Sequence, residues 1–106
     1  MRYFVIAEDS APLAAVFHDY TTGTVVCRSK AESFRASFDA VAERTFGRIV
    51  KNPDKLVIEG FDEFSKDWID SVLDSLCTEG MWSISEFGEI SNLEVEIDEI
   101  ISKFLV

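Results

Sequence analysis

Apolar positions along this 106-residue chain change period several times, and each change marks an element. Tyr3–Ala7 is an unbroken apolar, aromatic and β-branched run, which predicts a buried strand. Pro12 precedes a second run, Leu13–His18. Asp19-Tyr20-Thr21-Thr22-Gly23 then supplies turn chemistry, with Gly23 able to take positive φ, and Thr24–Arg28 resumes as a strand. Residues 13–28 therefore predict a hairpin.

The period then becomes helical. Ser29-Lys30-Ala31-Glu32 fits a capping box, in which the Ser oxygen and the Glu carboxylate each satisfy an orphan backbone N–H. Phe34, Phe38, Val41, Thr45 and Ile49 follow at spacings of four, three, four and four, one apolar stripe facing a core. Gly47 stops this helix, or the helix runs on to Lys51; Asn52-Pro53-Asp54 is a turn in either case. Leu56-Val57-Ile58 predicts a strand ended by Gly60.

A second helix has the clearest periodicity. Asp62 is its N-cap; Phe61, Phe64, Trp68, Val72 and Leu76 share one side, flanked by Ile69 and Leu73; Gly80 closes it. Met81–Phe87 alternates as a strand. The last stretch carries two periods. Leu93–Asp98 alternates, yet Ile90, Leu93, Ile97, Ile100, Ile101 and Phe104 have helical spacing, and Ser91-x-x-Glu94 is a second capping box. A terminal helix is the favoured reading.

The order β-ββ-α-β-α-β-α predicts an α+β fold: a single two-layer domain, with a mostly antiparallel sheet and two or three helices on one face. The length suits one compact domain over 1–106. With 47% hydrophobic residues, nine Phe and two Trp, the chain can build a core and is not a disordered acidic tail.

Charge changes this picture. Residues 1–58 hold eight Lys/Arg and seven Asp/Glu, a net of +1, whereas residues 59–106 hold two Lys and thirteen acids, a net of −11. Charge so concentrated destabilises a fold by self-repulsion and points to a surface that meets a basic partner. On the second helix, at about 100° per residue, Glu63, Asp67, Asp70 and Asp74 fall within about a 60° sector opposite the apolar stripe. Lys66 is the only base in that helix. Adjacent like charges at these spacings weaken a helix by roughly 1 kcal/mol in total, and Asp74 and Glu79 oppose the dipole at the C-terminal end. A row of carboxylates imitates the phosphates of a nucleic acid, and Glu86, Glu89, Glu94, Glu96, Asp98 and Glu99 form a second row.

Catalytic chemistry is poorly represented. His18 alone titrates near neutrality without a shifted pKa, and His18-Asp19 lacks a nucleophile setting such as G-x-S-x-G. Cys27 and Cys77 stand fifty residues apart, outside any CxxC pair, and with His18 do not complete a zinc set, so two free thiols are expected. Glu94-Val95-Glu96-Ile97-Asp98 spaces its acids like a calcium loop but lacks the turn Gly. No Walker loop or dinucleotide fingerprint occurs, and the sequence implies neither cofactor nor metal. Arg44, Arg48, Lys51 and Lys55 are too few, on a chain of net −10, for direct nucleic-acid binding. Met1–Ala7 stops at Glu8 and Asp9, too short for a signal core or a membrane span, so a cytoplasmic location is expected.

At the level of general class only, these traits resemble phage anti-defence proteins, including nucleic-acid mimics that block CRISPR or restriction machinery. The expected function is a non-enzymatic inhibitor that occludes a Lys/Arg groove with its acidic face. An immunity protein or antitoxin neutralising a basic nuclease uses the same physics. A third alternative, from another class, is a small ligand-binding or enzymatic domain with a pocket near His18, Tyr20 and Cys27. A homodimer through strands 3–7 and 13–18 is a further expectation, since few Lys or Pro guard them.

Overall fold

The computed structural model describes residues 1–19, 24–46, 49–51, 55–58, 68–79 and 82–105. The chain runs β1 (Arg2–Glu8), β2 (Ala11–Asp19), β3 (Thr24–Ser29), α1 (Glu32–Phe46), β4 (Ile49–Lys51), β5 (Lys55–Ile58), α2 (Trp68–Glu79), β6 (Trp82–Glu89) and α3 (Leu93–Phe104). The strands form one six-stranded sheet in the order β4-β5-β3-β2-β1-β6. Every pairing is antiparallel. The expected α+β fold with its antiparallel sheet is therefore present. The turn at 20–23, Gly47, the turn at 52–54, Gly60, the start of the second helix with Asp62, Glu63 and Asp67, and Gly80 lie outside the described residues.

Strands β1 and β2 are central, and both of their faces are buried. Phe4, Ile6, Ala14 and Val16 point toward Phe34, Phe38 and Val41 of α1 and Ile69, Val72, Leu73 and Leu76 of α2. Their neighbours Val5, Ala15 and Phe17 point the other way, toward Ile97, Ile100 and Leu105. Two helices share one face, as expected. The third covers the opposite face, so the two-layer arrangement gains a third layer. Strands 3–7 and 13–18, through which a homodimer was expected, are interior in this sheet, and neither offers an open edge.

The first hairpin turns through two residues, Asp9 and Ser10, both at positive φ (50° and 66°), between the paired Glu8 and Ala11. Positive φ at both central positions is the geometry that matches strand twist in a two-residue loop. Leu13 is the extra residue where the β1–β2 register shifts, and Pro12 stands beside this bulge, beyond the β3 ladder that begins at Ala14. Both are positions where a strand tolerates proline.

Helix α1 starts later than the capping-box pattern implies. Ser29 closes a local turn instead, its Oγ accepting from Ala31 N–H at 3.0 Å and donating to Ala31 C=O at 2.7 Å. The helix ends at Phe46, and Ile49 belongs to β4, paired with Ile58. The β-branched pair Ile49-Val50 goes to the sheet, which overrides the helical spacing. Helix α3 is capped one residue beyond the predicted box. Asn92 Oδ1 accepts from Val95 N–H at 3.3 Å, and the Glu96 carboxylate accepts from Ser91 N–H at 2.7 Å and Asn92 N–H at 2.8 Å. Those two backbone donors hold Glu96 below the usual carboxylate range.

Candidate functional site

Helix α2 is amphipathic in the sense its sequence predicts. Ile69, Val72, Leu73 and Leu76 are buried, while Asp70 and Asp74 are exposed. Asp70 lies in its first turn and no base lies in its last. The two residues are one turn apart, a spacing that sets Cβ atoms about 5–6 Å from each other on a helix surface. Asp70 faces the guanidinium of Arg2 at 3.2 Å, and that guanidinium also lies over the Phe4 ring, 5.3 Å from its centre. The pair is exposed on the Asp70 side, so it adds little to stability.

Strand β6 is an edge strand, flanked by β1 alone among the described residues. Its register places Trp82, Ile84, Phe87 and Glu89 on the α2 face, opposite Glu8, Ile6, Phe4 and Arg2 of β1. Glu86 pairs with Val5 and so belongs to the α3 face. The register shifts between Val5 and Ile6, leaving Ser85 as the extra residue, with its Oγ donating to Val5 C=O at 3.3 Å. Trp82 packs edge-on against Phe34, with ring centres 5.2 Å apart. The apolar cover then ends: Ile84 is 42% exposed and Phe87 is 71% exposed. Between them and α2 opens a groove of about 360 Å³ lined by Arg2, Phe4, Asp70, Ile84 and Phe87.

The acids named from the sequence thus divide between two faces of the sheet. Asp70, Asp74 and Glu89 lie on the α2 face; Glu86, Asp98 and Glu99 are exposed on the α3 face, and Glu96 is tied into the α3 cap. Glu94 is placed in α3, without a described side chain, and Glu63 and Asp67 lie outside the described residues. The groove beside Asp70 was not foreseen. Its signal is the three-residue step from Ile84 to Phe87, where strict alternation needs an even number, which marks the bulge that puts both side chains on the α2 face.

His18 and Cys27 line no part of this groove. His18 is fully buried at the end of β2. Burial, and then the nearby Arg2 charge, lower its pKa to about 4, so it is neutral at pH 7. Burial pushes the Cys27 thiol up to about 12. Among the described residues no three His, Cys, Asp or Glu side chains are grouped to hold a metal ion, and no helix is long and apolar enough to cross a membrane. No family model matches the chain, and no curated protein or solved structure matches it. The functional reading rests on the chemistry of this surface alone.

Proposed function

We propose that this chain is a non-enzymatic inhibitor that docks its acidic surface on a basic, nucleic-acid-binding protein and excludes the nucleic acid. One observation carries the reading. Residues 68–105, which contain α2, β6 and α3, hold nine acids and one Lys. Among those whose side chains are described (Asp70, Asp74, Glu86, Glu89, Glu96, Asp98 and Glu99), Asp70–Arg2 is the one ion pair. Negative charge left facing water at this density opposes folding and favours a cationic partner. A groove of Lys and Arg built for phosphates presents that complement, and steering by the acidic half speeds encounter and makes binding salt-sensitive. A phage anti-defence role and an immunity role against a nuclease share this mechanism and differ in the partner's identity.

The test is capture from a bacterial lysate at low salt, elution by a salt gradient and identification by mass spectrometry. The control carries Asp70→Asn, Asp74→Asn, Glu86→Gln and Glu89→Gln together. A nucleic-acid-binding protein held by the wild type and lost by the control is the expected result. Equal capture by both returns these carboxylates to a solvated surface.

A further inference from the structure

We infer that β6 accepts an extended basic segment of the partner as an added antiparallel strand, with the partner's apolar side chains entering the groove beside Phe87. This rests on the acidic-surface reading and names how the partner engages it. The backbone supplies the first argument. Ile90 N–H is turned toward β1, where it donates to Met1 C=O at 3.0 Å. Antiparallel alternation then turns Gly88 and Glu86 toward β1 as well, and turns the N–H and C=O of Phe87 and Glu89 away from it, to the side where no described strand pairs. The strand is eight residues long with its bulge at Ser85, and the regular segment from Glu86 to Glu89 is a template for an incoming strand.

The side chains supply the second. Strand addition draws affinity from main-chain hydrogen bonds and specificity from pockets for alternate side chains. Phe87, Ile84 and Phe4 line such a pocket directly beside the open edge, with the Arg2–Asp70 pair among its walls. Charge selects the occupant. Glu86 and Glu89 lie on the strand itself, and Asp70 and Asp74 lie above it on α2. A second copy would bring another chain of net −10 against this edge, with its own Glu86 and Glu89 on the incoming strand. Charged residues guard an edge against its own kind. Here the guard is of one sign, and it attracts a strand that alternates Lys or Arg with apolar residues.

The probe is a fluorescent eight-residue peptide alternating Lys and Val, compared with a Glu/Val peptide of equal length, at about 50 mM salt. Three variants separate the contributions. Glu89→Gln removes one charge. Glu89→Pro removes the same charge and the outward N–H, at an edge position that tolerates proline. Phe87→Ala empties the pocket wall and, with Phe87 71% exposed, leaves the fold intact. The expected results are binding of the Lys/Val peptide alone and slowed amide exchange at Phe87 and Glu89. Binding should be about three- to tenfold weaker in Glu89→Pro than in Glu89→Gln, as for one lost hydrogen bond, and weaker in Phe87→Ala than in wild type. If the Lys/Val peptide binds, salt releases it and Glu89→Pro matches Glu89→Gln, the acidic surface stands and strand addition is overturned. If no basic peptide binds, both readings fall. A dimer in sedimentation that Glu89→Pro disperses would show a second copy at this edge and overturn the proposal.

Discussion

His18 ties the stability of this fold to pH in a way that can be worked out from its surroundings. It is the only histidine in the chain and is fully buried. Burial and then Arg2 disfavour the imidazolium, Asp19 opposes them to a smaller extent, the N-terminal amine adds the least, and together they hold the pKa at about 4 rather than 6.5. Between those values the unfolded chain takes up a proton that the folded chain refuses. Stability therefore falls as pH drops below about 6.5 and the loss levels off below about 4. At about 1.4 kcal/mol per unit, the full loss is about 3 kcal/mol, and the share reached at pH 5 is about 2 kcal/mol. Ordinary carboxylates, with pKa values of about 4, remain mostly ionised at pH 5 and change little over this range. Urea unfolding at pH 7.5 and pH 5.0, for the wild type and for His18→Gln, isolates the effect. With a slope of about 1–2 kcal/mol per molar, the wild-type midpoint should fall by about 1–2 M more than that of the variant. An equal fall in both proteins, or an imidazole that titrates near 6.5 by NMR in the folded state, would refute the reasoning.

Three further outcomes follow from particular contacts. At pH 8 a thiol reagent should label Cys77 in the native protein, slowed by partial burial and by Asp74, and reach Cys27 only on unfolding; two fast reactions would contradict the burial of Cys27. Asn92→Ala removes the α3 cap and should cost about 1 kcal/mol by urea unfolding, with no loss in a control at exposed Ser102. Gly88→Ala places a methyl 2.8 Å from the Tyr3 ring and should cost about 1–2 kcal/mol; in a Tyr3→Val background the same change should cost clearly less, and equal cost in both would rule out the clash.

Much of this fold can be read from local pattern, and what could not be read has physical causes. The hairpin of β2 and β3 and the buried stripe of α2 follow directly from period. The α3 reading succeeds because Ile97, Ile100 and Leu105 need one face of a helix to reach the sheet. The side of the sheet it covers is not in its own pattern. It is implied by β1 and β2, where Phe4-Val5-Ile6-Ala7 and Ala14-Ala15-Val16-Phe17 are apolar on every position, so both faces need cover. Ile49 continues the α1 spacing by coincidence of period, and only its partner Ile58 reveals the strand. Strand order, which makes β6 an edge and β1 an interior strand, depends on long-range pairing that no local window contains. For the surface, the excess of acid was evident in the sequence, whereas its division between the α2 and α3 faces and the groove at Phe87 required the sheet.

The central claim is that the acidic surface displaces nucleic acid from a basic protein. The most direct measurement loads a basic protein recovered by capture with labelled nucleic acid and follows release as this protein is added, over a series of salt concentrations. The account predicts release by the wild type that weakens as salt rises, and much weaker release by the variant with Asp70, Asp74, Glu86 and Glu89 changed to amides. Undiminished release by that variant, or a nucleic acid that stays bound throughout, would contradict it.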